Sequence, residues 1–429
     1  MLLRRAVRRR RASVAVSLAA AGSLVLSAAG AFGSAPASAS VAKAKKTYVS
    51  AGILLPMSGK EAFVGQWFDH GVRAGIYAVD HGGGIMGGAQ FSTHLEDTAG
   101  DPVDAVSAFR TLLLYHPVVV FGPSSLSIEG VIRQFQPDHV VDLMEGGTTQ
   151  LDFMRYPYVY RVFPSDSELL SGEAYYAYHA KGCHTAAEIY DSGPNAQAEV
   201  GPVTRAFKKL GGKIVASATI VAGQSSYLST VAKLFSGTSP QCAFFHMDPQ
   251  TASTFFANVR QLGHMNIPYI TGDTGASIQL AQAFGLKYAA KWMSGMAAPP
   301  AYTQSNTAFL NAYQKVWHTR TPLPASPAMY DSVIIAALAM DAAHSTNPAT
   351  WRADIKKVTN PPGTKCYTYP SCVALLNHHH KINYQGASGN ENFNKYHNVF
   401  SSFEVEKFTA SGGLRTAYLE PASKLATLY

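Results

Sequence analysis

The residues most able to do chemistry are gathered in one stretch, Phe121-Gly-Pro-Ser-Ser-Leu-Ser-Ile-Glu-Gly130. The β-branched run Val118–Val120 reads as a buried strand, and Gly122-Pro123 ends it. Ser124, Ser125 and Ser127 follow, and a helix is expected from there to about Gln136. Three roles are open to hydroxyls so placed. A nucleophile needs a base within reach and donors for an oxyanion. An anion hook needs hydroxyls and free backbone N–H groups where a strand feeds a helix. A helix cap needs one serine.

Other chemically suggestive patterns fail on context. His81-Gly82-Gly83-Gly84 has the look of an esterase oxyanion loop, and Gly82, Gly84 and Gly87 spell a dinucleotide fingerprint. The fingerprint must follow a strand and open a helix, whereas this one ends a helix and enters a strand. The esterase reading needs a G-x-S-x-G elbow, which the chain lacks. The plain reading is a glycine C-cap and tight turn. His378, His379 and His380 are neighbours in a loop, and three neighbours rarely face one metal ion. Asp69 and His70 sit mid-helix with no nucleophile nearby in sequence. No metal site and no cofactor are expected.

The chain of 429 residues is 47% hydrophobic and 14% charged, enough for two domains of ordinary size. The net charge of +8 is concentrated at the start: residues 1–39 hold six Arg and no acid, leaving 29 basic against 27 acidic residues. That balance gives no reason to expect a nucleic-acid partner. The Arg-rich start, an apolar run from Ala12 to about Phe32 and Ala37-Ser38-Ala39 read as a signal peptide, residues 1–39, general or twin-arginine. A membrane anchor is the alternative, but the run is rich in Ala, Ser and Gly and only weakly hydrophobic. Residues 40–46 read as a disordered leader. An exported chain can keep disulfides. Cys366 and Cys372 bracket a short loop and are expected to pair. That leaves Cys183 with Cys242 as a second expected disulfide: each sits just before a predicted strand, and the sulfurs could meet if those strands are parallel neighbours; four free thiols are the alternative.

The elements that must position the serines alternate strand and helix. Tyr48–Leu55 is a strand, Glu61–Asp80 a helix with Val64, Phe68, Val72, Ile76 and Val79 on one stripe, and Phe91–Glu96 a strand. Asp101-Pro102 caps the next helix. Val118–Phe121 and Val140–Met144 complete a first series. A second series runs from a helix at about 168–180 through strands at Ala186–Tyr190, Lys213–Ile220, Cys242–Met247 and Pro268–Thr271. Such alternation implies parallel sheets covered by helices on both faces. Helices are expected at Thr303–His318 and Ala328–Ala343, a loop-rich stretch from Asn360 to about Asn398, and a terminal strand pair at Phe403–Phe408 and Leu414–Leu419.

These segments together resemble a known family. Ile53-Leu-Leu-Pro-Met-Ser-Gly59 with Gly65, Val79-Asp80 and GGGIMGG, then EDTAGDP (96–102), FGPSSLS (121–127), MEGGTTQLDF, YPYVYRVFPSD (156–166), RAFKKLGGKIV (205–215) and YITGDTGAS (269–277) occur in the order and spacing of branched-chain-amino-acid-type solute-binding proteins. These are leucine/isoleucine/valine-binding proteins of ABC importers, with the type I periplasmic-binding fold. The resemblance covers about Tyr48 to Ala343, with a weaker echo at YQGASG (384–389). It implies an α/β chain of two doubly wound parallel-sheet lobes joined by a three-segment hinge. Lobe 1 would comprise 47–163 plus 294–398 and lobe 2 164–293 plus 399–429. It implies no enzyme: a ligand binds between the lobes, they close, and the closed form meets membrane permease and ATPase subunits.

Carried over by position, Ser124, Ser125 and Ser127 would hold a ligand carboxylate, with at least one serine also capping the helix. Thr148 would contact an amine end and Asp273 would face an ammonium group. The first-loop aromatic falls at Phe63 or Val64. The departures lie mostly in lobe 2. Asn195 stands where the family has a cleft tyrosine, Met247 or Asp248 where it has another aromatic, and Gln250 at an acidic position. Met144 and Glu145 replace a serine and a proline, and Gly100 and Ser125 stand where some members have a cysteine pair. A wall so changed is more polar, and the expected ligand is a small polar metabolite (an amino acid, an amide or a urea-like molecule) rather than leucine, isoleucine or valine. The expectation is an exported, monomeric solute-binding protein. A sensory module without a transport role and a secreted serine hydrolase are the rivals.

Overall fold

The computed structural model describes residues 46–59, 61–272, 277–297, 303–400, 402–420, 422–425 and 427–428. The expected signal peptide, most of the leader and Asp273 lie outside the described residues, as do the side chains of Pro194, Asn195 and Ala198.

Buried apolar runs form the strands. The first sheet has the order β2-β1-β3-β4-β5, all parallel, from β1 (Tyr48–Leu55), β2 (Gln90–Asp97), β3 (Val119–Phe121), β4 (Val141–Met144) and β5 (Val159–Arg161). The second runs β14-β13-β10-β9-β8-β6-β7. Its parallel part is β6 (Thr185–Asp191), β7 (Lys213–Ile220), β8 (Cys242–His246), β9 (Tyr269–Thr271) and β10 (Met293–Ala297). A small parallel pair, β11 (Thr364–Cys366) and β12 (Ile382–Tyr384), stands apart, and β13 (Phe403–Phe408) and β14 (Leu414–Glu420) close the second sheet antiparallel.

Helices connect the strands: α1 (Ala62–His81), α2 (Pro102–Leu113), α3 (Ile128–Val131), α4 (Asp166–Tyr175), α5 (Pro194–Lys209), α6 (Leu228–Leu234), α7 (Pro249–Gln261), α8 (Ile278–Phe284), α9 (Leu286–Trp292), α10 (Thr303–Trp317) and α11 (Ser326–Ala343). Asp101 caps α2 by accepting from Val103 and Asp104 N–H, as its Asp-Pro signature requires. This is the two-lobed α/β architecture that the alternation implies. The chain passes between the sheets after Arg161, between Ala297 and α10, and after Val399.

Several expectations are corrected. The return to lobe 1, placed at residue 294, lies beyond Ala297, because β10 is hydrogen-bonded between β9 and β13 in the second sheet. The helix expected to reach Gln136 ends at Val131. Gly130 is a poor helix former, and the Gln134 side chain takes the Gly130 carbonyl that a continuing helix would use. The stretch from Asn360 holds a helix, Tyr369–Asn377, with a Thr368/Ser371 capping box. Cys366 and Cys372 are bonded across its start. Cys183 and Cys242 are not bridged: both are buried free thiols. They do meet, since burial and then a hydrogen bond to Cys183 push the Cys242 thiol up. Gly82 N–H and Gly84 N–H both return to the Val79 carbonyl, so HGGGIMGG is the turn expected.

Helix α11 is apolar on all sides and carries two buried acids that act as staples. Asp331 accepts from Tyr384 Oη at 2.6 Å and from Ala387 and Ser388 N–H. Asp341 accepts from Met86 N–H and Tyr369 Oη. Asp142, in the middle of β4, is different: it is fully buried and neither carboxyl oxygen has a partner among the described residues. Burial alone pushes its carboxyl well up.

The folded state therefore holds the Asp142 proton at pH values where the unfolded chain has lost it. Its stability contribution is complete below the ordinary carboxylate range and declines as pH rises toward the raised folded value. Asp142→Asn should remove this slope, up to about 1.4 kcal/mol per pH unit for one proton. Urea titrations of both chains from pH 4 to 8 check it; parallel stability–pH curves would contradict it. Titration of denatured, unreduced protein should find two thiols per chain, and none would mean that Cys183 and Cys242 are bridged.

Candidate ligand-binding cleft

Parallel strands deliver their carboxyl ends to one edge of each sheet, and loops there carry the polar residues. On the first sheet, Asp97 at the end of β2 accepts from the N–H groups of Met57, Ser58 and Ala99, tying the β1 exit to β2. Burial would raise its carboxyl, but these hydrogen bonds and one from the Ser58 side chain outweigh it and hold it low. Glu61, at the N-cap position of α1, makes no side-chain capping bond. Its Oε2 accepts from Ser124 Oγ at 2.7 Å. Burial raises the Glu61 carboxyl and the Ser124 bond offsets this in part. Ser127 is fully buried and donates to Thr98 Oγ1 at 3.0 Å. It occupies the N-cap position of α3 without a side-chain capping bond, so the expected serine cap is not made. Ser125 is half-buried, with no partner for its hydroxyl among the described residues.

The β3 and β4 exits pack tightly. A Cβ on Gly146 would lie 2.7 Å from Ser125 Oγ, and one on Gly147 only 1.8 Å from Asp166 Oδ1 at the start of α4. Both glycines are required by close approach. Thr148 follows, half-buried, its carbonyl accepting from Arg161 Nη1 at 2.9 Å. Arg161 is fully buried and pairs with Asp152 at 3.0 Å. Asp152 also accepts from Ser165, the N-cap of α4, and Asn398 Nδ2 donates to the Leu151 and Asp152 carbonyls. One knot thus holds the Thr148 loop to two of the crossings between the sheets.

On the second sheet the carboxyl edge presents Asp191, His246, Met247 and Asp248. With Leu126 from the first sheet and Leu280 from α8, these line a cavity of about 420 Å³ between the two sheets. Asp248 lines it as the N-cap of α7, accepting from Gln250 and Thr251 N–H at 2.8 and 2.9 Å. Burial works against its ionised form, but these bonds prevail and hold its carboxyl low. His246 Nδ1 lies 2.8 Å from Glu199 Oε1. A second cavity, about 500 Å³, is lined by residues 154–157 and 395–397. It precedes β5, at the opposite edge of the first sheet, and does not involve the serines.

A sequence profile described as periplasmic binding protein matches residues 48–365, most of the chain. The chain belongs to this family. The leucine-binding protein LivK of Thermotoga maritima superposes with a TM-score of 0.67 at 17% identity, over 88% of this chain and 99% of that one. LivJ of Streptococcus pneumoniae, in complex with isoleucine, gives 0.64 at 18% over 88% and 99%. A solute-binding protein of R. palustris, in complex with benzoate, gives 0.63 at 16% over 87% and 97%. No curated protein sequence matches.

In this periplasmic binding protein, Ser124, Ser125 and Ser127 follow β3 and Thr148 follows β4 at the first sheet's carboxyl edge, and Asp248 lines the cavity with Leu126 of the serine segment. Phe63 is exposed in the first turn of α1, stacked edge-on against Trp67 at 5.0 Å rather than lining the cavity. Asn195 lies in the first turn of α5, beside Ala196, which does line the cavity. Sequence reasoning missed Glu61, Asp191, His246 and Arg161. Asp248-Pro249 repeats the Asp101-Pro102 cap signature and was readable as a helix start.

The Arg161–Asp152 pair generates a prediction. Arg161→Met leaves a buried carboxylate without its cation and should cost about 3–5 kcal/mol in urea unfolding. Adding Asp152→Leu should recover much of that loss. Equal stability of wild type and Arg161→Met would show that the pair does not hold the hinge.

Proposed function

We propose that the chain is exported through its first 39 residues, captures a small polar metabolite between its lobes and delivers it to the permease and ATPase of an ABC importer. The observation that carries this reading is the cavity of about 420 Å³ lined from both sheets, at the carboxyl edge where the polar loops converge. A ligand there contacts both walls at once only when the lobes are closed, so binding shifts the population toward closure. The buried serine hydroxyls are not set up to attack. Ser124 and Ser127 donate to Glu61 and Thr98, neither to a histidine. Among the described residues no helix is long and apolar enough to cross a membrane. In this reading the second lobe begins near Ser165, the residue that caps α4.

Thermal unfolding of the mature chain against amino acids, amides, amines, urea and small carboxylates tests the proposal. A ligand at about 100 times its Kd adds roughly 2.7 kcal/mol, so one chemical group of compounds should raise Tm by several degrees. A flat response across the panel would contradict ligand capture.

A further inference from the structure

The cleft's polar groups are committed in a way that sets the sign of charge it accepts. The Ser124 hydroxyl, buried at the strand end, is already donated to Glu61 at 2.7 Å. Asp191 and Asp248 line the cavity together with Leu126 of the serine segment, and both accept backbone N–H groups of their own loops. His246 is the basic side chain of the described lining, and it is already paired with Glu199. No lysine or arginine is among the described lining residues. The remainder is apolar: Leu126, Met247, Pro249 and Leu280. An entering carboxylate would find two acids, Asp191 and Asp248, and no lysine or arginine among the described lining residues. A cation would find the reverse.

We propose that this cleft selects a small organic cation, an amine or amidinium on a short apolar body, and discriminates against a free carboxylate. The inference rests on capture in the interlobe cleft, and it parts from the structural relatives above that hold isoleucine or benzoate.

Calorimetric titration of the mature chain with four compounds sharing one apolar body tests it: leucine, leucinamide, 3-methylbutylamine and 4-methylpentanoate. The same four-way comparison on ethyl and phenethyl bodies covers ligand size. On the body that fits, the amine and amide should bind at least tenfold tighter than the amino acid, and the carboxylate weakest. Asp248→Asn keeps an acceptor for the α7 N–H groups and removes the charge, so it should weaken the amine about tenfold and narrow the gap to the amino acid. Amino acid or carboxylate binding as tight as the amine in wild type would overturn the proposal and leave ligand capture standing. An absence of binding by all compounds would overturn both.

Discussion

A buried arginine organises the molecule between its two sheets. Arg161, the last residue of β5, has no contact with water, and its charge is met by Asp152 and by the Gly147 and Thr148 carbonyls. Asp152 in turn receives Ser165, and Asn398 reaches back to the same loop. Burying a guanidinium is costly unless every partner is in place. The requirement therefore fixes the Thr148 loop, the start of α4 and the 398 crossing in one arrangement. The carboxyl edge of the first sheet is built from this knot outward, and the serine segment packs on it through Gly146.

The alternation of strands and helices was legible because both periods are local. Phe403–Phe408 has the bounds its sequence pattern implies, and the Asp101 cap follows from its dipeptide. The Cys366–Cys372 bond followed from a short loop. What was not legible depends on distance along the chain. Ser124 and Glu61 are 63 residues apart, and no local pattern announces their bond. Arg161 looks in sequence like one more residue of a crossing segment. The helix Tyr369–Asn377 was hidden by Pro370 and by the turn residues around it. Parallel pairing of β6 with β8 brings Cys183 and Cys242 together, but the disulfide expected between them is not made, since proximity does not dictate oxidation.

The serines of FGPSSLS show how position can mislead about role. Their place at a strand end fits an anion hook on general grounds. In this chain one hydroxyl serves an internal carboxylate, one serves Thr98 deep in the lobe, and only Ser125 has no such commitment. The helix expected to direct its dipole at the site is a four-residue turn. Structures of the same fold hold isoleucine or benzoate, whereas the described lining of this chain's cavity carries Asp191 and Asp248 and no lysine or arginine.

The central claim is that a ligand bound between the sheets draws the lobes together. Small-angle X-ray scattering of the mature chain, with and without a compound that raises its Tm, tests this most directly. The account predicts a smaller radius of gyration with the compound bound. An unchanged radius at saturating compound would contradict it.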